Sequence, residues 1–228
     1  MGFDIDVFLQ RGGGQIVARF SSGAALTALS GPSGSGKTSL LDMVAGLVRP
    51  DAGRIAVDGK VLFDSAAGVD LPPHKRHCGY VFQDYRLFPH RHVEANLLYG
   101  WQLAAPRDRW ISLSEVCELL GIGHLLRRMP GALSGGEKQR VAIGRALLSG
   151  ARFLLMDEPL SSLDALRRAE IMVLIERIRD DLGLPILYVS HDRNEVTRLA
   201  GQIVHLGAAH GVAFATDMSQ GEQGKACA

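Results

Sequence analysis

Cysteine is scarce in this 228-residue chain, and the three present, Cys78, Cys117 and Cys227, are scattered and form no C-x-x-C pair. An odd, dispersed set excludes a disulfide framework and argues against a thiolate zinc site; free thiols in a reducing compartment are expected. Charge of one sign is also missing. Lysine and arginine number 25 against 24 aspartate and glutamate, a formal net charge of +1, and no long basic run stands out. No nucleic-acid partner is expected from that balance. No apolar run approaches the roughly 18 residues of a membrane span. The start of the chain lacks the basic-then-apolar pattern of a signal peptide. A cytoplasmic chain is expected, and work at a membrane would require other subunits to hold it there. His74, His77, His90 and His92 crowd two short segments. They lack a repeated zinc spacing, and Lys75, Arg76 and Arg91 would repel a cation, so no metal centre is expected there.

What the chain does contain is hydrophobic residues, at 46%, enough for one α/β domain with a substantial core. Residues up to about Phe20 alternate loosely between apolar and polar, as paired strands do, with a turn at Gly12-Gly13-Gly14. Ala24 to Ser30 reads as a short apolar strand, followed by a helix from Lys37 through Leu47 that Pro50 and Gly53 end. Arg54 to Val57 and Lys60 to Phe63 flank an Asp58-Gly59 turn. Gly79 to Phe82, Phe153 to Met156 and Ile186 to Val189 are apolar throughout, which suits parallel strands covered on both faces. Between them lie helices at Leu113 to Leu120, Lys138 to Leu148 and about Ala165 to Arg179. In the last, Ile171, Leu174, Ile175 and Ile178 form a core stripe at helical spacing. After Gly207 the chain turns small and polar and reads as a loosely ordered tail.

Three segments carry chemistry. Gly31-Pro32-Ser33-Gly34-Ser35-Gly36-Lys37-Thr38, with Ser39 behind it, is a glycine loop between a strand and a helix. Polyphosphate needs backbone N–H groups at close range and a cation, and this loop offers both at the positive end of a helix. Lys37 should reach the β- and γ-phosphates of ATP and Thr38 should ligate Mg²⁺. The second segment, Asp157-Glu158, ends the strand Phe153 to Met156. There Asp157 could hold the metal and Glu158 could polarise an attacking water. The pair could instead be solvated acids opening a turn at Pro159. In the third, Leu133-Ser134-Gly135-Gly136-Glu137, the S-x-x-E spacing suffices for a capping box. That leaves two glycines that weaken a helix start, and glycines there would let an anion approach. A second phosphate surface in a chain that already has one points to a second identical chain. Each loop would face the other chain's Ser134, Gly135 and Gly136 in a two-fold head-to-tail pair.

These segments, in this order, resemble the ATP-binding cassette family over nearly the whole chain to about Gly207. The resemblance implies an α/β P-loop NTPase fold: a RecA-like core, an antiparallel β subdomain and an inserted helical subdomain. The expected division is a cassette over 1–207, with core 1–83 and 150–207, a helical lobe about 84–149, and a tail over 208–228. It also implies roles that the residues alone do not give. Gln83 would touch the metal or the attacking water, Asp164 would belong to the aspartate loop Ser161-Ser162-Leu163-Asp164, and His191 would contact the γ-phosphate. Adenine would stack on an aromatic upstream of the glycine loop, where this chain offers Phe8 or the guanidinium of Arg11.

Within the family, Lys75 to His90, above all Arg86-Leu87-Phe88-Pro89-His90, resembles the ATPases of bacterial molybdate importers. Sulfate, iron and polyamine importers share the stretches Leu133 to Leu148 and Asp157 to Asp164, which resemble these ATPases as well. Implied partners are a second copy, integral-membrane permease subunits at the cytoplasmic face of the inner membrane and, indirectly, an extracytoplasmic substrate-binding protein. Such ATPases usually carry a C-terminal oxyanion-binding domain, for which this chain ends too early. Leu87, Phe88 and Pro89 would either meet the permease or fill the lobe's own core. A soluble cassette of DNA repair or translation fits less well, because the interval from Gln83 to Ser134 holds only a small lobe and the chain has one cassette. A regulator without turnover is disfavoured by Lys37, Asp157, Glu158 and His191.

Overall fold

The computed structural model describes residues 2–11, 14–209 and 212–217. In chain order the strands are β1 (Phe3–Arg11), β2 (Gly14–Ser22), β3 (Leu26–Ser30), β4 (Ala52–Val57), β5 (Lys60–Asp64), β6 (Val69–Asp70), β7 (Cys78–Val81), β8 (Phe153–Asp157), β9 (Ile186–Val189), β10 (Gln202–Ala209) and β11 (Val212–Asp217). The helices are α1 (Lys37–Ala45), α2 (Val93–Leu103), α3 (Leu113–Leu120), α4 (Gly135–Leu148), α5 (Ala165–Leu182) and α6 (Arg193–Leu199). Two compact units form, residues 1–76 with 185–228, and residues 77–184. The second begins earlier and ends later than the helical lobe expected at 84–149, because β7 and β8 pair with each other and α4 packs on β7.

The first unit joins an antiparallel ribbon to a parallel set, in the order β6-β5-β4-β1-β2-β11-β10-β3-β9. β1 pairs with β2 from Phe3↔Ser22 and with β4 from Phe3↔Val57. Alternation drives this: Phe3, Ile5, Val7 and Leu9 are each at most 5% exposed, while the residues between them face the other way. The β4–β5 turn places Asp58 and Gly59 at φ 49 and 76, the pair of left-handed residues a tight hairpin needs. β3 lies parallel between β9 and β10 and buries Leu26, Thr27, Ala28 and Leu29.

Two expectations change here. The helix after the glycine loop ends at Ala45, not near Pro50. Gly46 turns left-handed, and the amides of Gly46 and Leu47 bond back to Met43 and Asp42, the pattern of a Schellman cap. The small, polar stretch after Gly207 is also not all loose. β10 continues to Ala209, and β11 pairs antiparallel with β10 and parallel with β2. Unpaired strand edges on both sides supply the hydrogen bonds that composition does not announce. The remaining tail, 218–228 with Cys227, and Gly12-Gly13 of the expected turn lie outside the described residues.

In the second unit α4 is the central helix, contacting α2, α3, α5 and β7. It buries Val141, Ala142, Ile143, Leu147 and Leu148. The α5 stripe is core as expected, with Ile171, Leu174, Ile175 and Ile178 buried. Asn96 of α2, fully buried, staples the loop before it. Its side chain accepts from the Phe88 amide at 2.7 Å and donates to the carbonyls of Phe88, Arg91 and His92.

Candidate functional site

β3 delivers the glycine loop. At Gly31 (φ 144) a Cβ would lie 2.2 Å from the Leu206 carbonyl oxygen, and at Gly36 (φ 92) one would lie 2.8 Å from Ile16 Cδ1. Neither position admits a side chain. Lys37 is 7% exposed, and its ammonium donates to the carbonyls of Gly31 and Pro32 at 2.9 and 2.8 Å. The first turn of α1 carries neither a side-chain cap nor an acidic residue, so no side chain of its own competes with an anion there. Ser35 Oγ is buried without a hydrogen-bond partner, a further donor for an oxyanion. Pro32, Ser33, Gly34 and Thr38 are exposed, and Gly36 and Ser39 half-buried. The loop fits a polyphosphate group such as that of ATP.

Parallel pairing of Leu29 with Val189 sends β3 and β9 out of the same carboxyl edge, where open α/β sheets place ligands. Gly31 follows one strand and His191 the other. His191 is exposed, and its segment is tied from beneath. Glu195, 4% exposed, accepts hydrogen bonds from the Tyr188 and Ser190 hydroxyls at 2.8 and 2.7 Å. Ser190 Oγ in turn accepts from the Asp192 amide at 3.0 Å. Sequence reasoning missed this network. Its only signal was polar residues at Tyr188 and Ser190 in and beside a strand otherwise apolar.

The second unit repeats the device. β7 pairs parallel with β8, Val81 opposite Met156, so Gln83 and the pair Asp157-Glu158 leave one carboxyl edge. Asp157 is buried at 7% exposure, a rigid placement unlike that of a solvated acid. Glu158 is half-buried with φ 44, and its carbonyl accepts from the Ser161 amide and hydroxyl at 3.2 and 2.9 Å. Gln83 is exposed. Asp164 caps α5, accepting from the Arg167 amide at 3.0 Å. That amide bond, with the Arg167 guanidinium behind it, holds the Asp164 carboxyl below its ordinary pKa.

Ser134 and Glu137 close a full capping box at the start of α4. Ser134 accepts from the Glu137 amide at 3.3 Å and its own amide donates to the Glu137 carboxylate at 2.7 Å. The backbone bond holds the Glu137 carboxyl below its usual pKa. The two glycines sit close to side chains from the segment that follows β8. A Cβ would lie 3.2 Å from Leu163 at Gly135 and 3.3 Å from Arg167 at Gly136.

Phe88 and Leu87 are half-buried and Pro89 exposed, so these residues do not form a sealed core. Phe88 packs on Tyr99 with ring centroids 4.7 Å apart. Together with Tyr80, Phe82, Arg86 and Arg145 they line an open groove of about 330 Å³. Phe8, one of two candidates for the base contact, is half-buried in β1, and Arg11 ends that strand. Ile16, which lies against Gly36, was not singled out by its sequence context.

The ABC transporter family model matches residues 19–161. The chain is 55% identical over 206 residues to the molybdenum import ATP-binding protein ModC of Mesorhizobium japonicum, covering 90% of this chain and 56% of that relative. With the ModC of Paramagnetospirillum magneticum it shares 56% identity over 197 residues, 86% of this chain and 54% of the other. The chain thus spans about half the length of the curated relatives it matches. Among solved structures, a dimeric structure of the bacterial ABC transporter cassette MJ0796 superimposes with a TM-score of 0.72 at 25% identity. It covers 93% of this chain and 95% of that one. A post-hydrolysis dimer of the same ATP-binding cassette, bound to ADP and Pi, gives 0.74 at 24% identity over 93% and 96%. The mixed parallel and antiparallel α/β architecture is that of the P-loop cassettes, and the chain belongs to the ABC transporter family.

Proposed function

We propose that the chain is the ATP-hydrolysing subunit of an importer that energises molybdate uptake through membrane permease subunits. The observation that carries the ATPase reading is the uncapped start of α1, with Lys37 folded over a loop whose Gly31 admits no Cβ. The molybdate reading rests on identity near 55% to relatives named for molybdenum import.

Gly31, Pro32, Ser33, Gly34, Ser35, Gly36, Lys37, Thr38 and Ser39 would wrap the phosphates of ATP, and Thr38, Gln83 and Asp157 would hold Mg²⁺. The buried carboxylate of Asp157 at a strand end suits a metal ligand. When bound, the metal supplies charge neutralisation at the phosphates. Glu158 polarises the attacking water, and His191 orients the γ-phosphate. Ser134, Gly135 and Gly136, with Asp164, serve the nucleotide of a second copy. The closed capping box leaves Gly135 half-exposed at the head of α4. The helical segment 84–149 forms the lobe that meets the permease, and the groove beside Phe88 and Tyr99 offers the contact surface. Among the described residues no helix is long and apolar enough to cross a membrane, which suits a peripheral subunit. An extracytoplasmic substrate-binding protein would deliver the oxyanion.

The test is molybdate uptake at scarce molybdate in cells lacking the gene, restored with wild type or Glu158→Gln, with sulfate uptake as control. Wild type alone should restore uptake and leave sulfate unchanged. Unchanged molybdate uptake in the deletion strain, with no redundant system present, overturns the substrate. Wild-type hydrolysis by Glu158→Gln overturns the role of that carboxylate, for which a general base implies a loss of about 10²–10⁴-fold.

A further inference from the structure

Tyr85 and Arg86 adopt left-handed backbone at φ 61 and 46, a conformation that bulky side chains rarely take. A loop selected for stability alone would place glycine or asparagine there. Strain of this kind persists only where surrounding structure enforces it, and it clusters at working sites. The enforcement is visible. Arg145 of α4 donates to the carbonyls of Tyr85 and Arg86 at 2.9 and 2.6 Å. Burial draws its guanidinium below the usual arginine pKa.

The conformation aims the Tyr85 ring at the aspartate loop. Its hydroxyl lies 2.5 Å from Ser162 Oγ, and a Cβ at Gly135 would be only 3.5 Å from the same oxygen. Ser161, next in the chain to Ser162, donates twice to the carbonyl of Glu158, itself left-handed at φ 44. Arg86 and Phe88, just beyond Tyr85, line the open groove. One hydroxyl thus joins the loop after Gln83 to the turn that carries Glu158, beside the start of α4.

We propose that Tyr85 is a positioning residue for hydrolysis, fixing the backbone of Glu158 through its hydrogen bond to Ser162. The assignment rests on the reading of Glu158 as the group that polarises water. It requires the bond, and not only the tyrosine ring, to set the rate.

The experiment is steady-state ATP hydrolysis by the full chain carrying Tyr85→Phe, Ser162→Ala, both together, or Ser162→Thr, with thermal midpoints measured in parallel. Each single variant should lose about three- to tenfold in kcat, the span of one net hydrogen bond, with KM for ATP and the midpoint unchanged. The double variant should be no slower than the slower single one, and Ser162→Thr, which keeps the hydroxyl, should recover most of the rate lost in Ser162→Ala. Multiplying losses in the double variant, a wild-type rate in Tyr85→Phe, or losses that track a lowered midpoint overturn the proposal. Glu158→Gln is run alongside. If it hydrolyses at the wild-type rate, the reading of Glu158 fails and the assignment falls with it. If it is inactive while Tyr85→Phe is normal, only the assignment fails.

Discussion

α1 starts just after Gly36 and α4 with Gly135 and Gly136, and their N-termini are finished in different ways. α4 is satisfied from within: Ser134 and Glu137 exchange two hydrogen bonds, and both glycines pack against Leu163 and Arg167. α1 has no side-chain cap and no acid in its first turn, with a lysine folded over the loop before it. The capping box pairs the amides of Ser134 and Glu137, whereas at the start of α1 no side chain occupies the helix N–H groups in place of an anion. Glycine content alone does not separate the two. The opposite end of α1 extends the contrast, for it is closed firmly. Arg76, 1% exposed, donates to the carbonyls of Met43 and Val44 at 2.8 and 3.0 Å and to Leu71 at 2.6 Å, and pairs with Asp70 at 3.1 Å. Gly46 makes room for it, since a Cβ there would lie 2.5 Å from Arg76 Nε.

The sharpest way to break this comparison is at the closed end. Arg76→Met leaves buried carbonyls without donors and should cost about 3–4 kcal/mol of stability, read as a lower denaturant midpoint. A loss under about 1 kcal/mol would show that the cap is not what holds α1. At the open end, Lys37→Ala removes the one cation of the loop. It should weaken ATP binding about hundredfold, as losing charge-assisted hydrogen bonds implies, and also lower stability, because the buried ammonium donates to the carbonyls of Gly31 and Pro32. Calorimetric titration decides this, and unchanged affinity would remove α1 from the site.

The capped start of α4 should respond in stability and not in nucleotide affinity of the isolated chain. Ser134→Ala should cost about 1 kcal/mol, or roughly 2–4 °C in Tm for a chain of this size. Its partner gives the smallest effect and a pH signature. The Glu137 carboxyl is held below its ordinary value in the folded chain. The charge therefore adds stability above the ordinary carboxylate pKa, and this is lost as pH falls through the lowered folded value. Glu137→Gln, which keeps the bond to the Ser134 amide, should be slightly less stable than wild type at pH 7. The gap should close as pH falls through that lowered value. Equal denaturation midpoints at pH 7 would show that the charge of the capping box is idle.

Much of this could be read from residue order. The strand before Gly31, the start of α1 at Lys37, α3, the core stripe of α5 and the S-x-x-E box at Ser134 all follow from local periodicity and capping chemistry. What escaped the sequence needed partners distant along the chain. The helix after the glycine loop read as running through Leu47, because Gly46 resembles an ordinary small residue until Arg76, thirty residues on, occupies the space beside it. β11 looked like polar tail because its reason to be ordered is two strand edges, on β2 and β10. Asn96, Glu195 and Tyr85 looked like unremarkable helix and loop residues, yet each is tied to a loop by its side chain.

The sequence by itself determined most core strands and helices and the candidate phosphate-binding segments, because hydrophobic period, glycine loops and caps act over a few residues. Tertiary structure alone decided which helix start is open and which is closed by packing, and which strand ends leave one sheet edge together. It also decided which buried polar groups brace the working loops. Those outcomes depend on space and hydrogen-bond partners supplied by segments far away in the chain, and no local pattern encodes them.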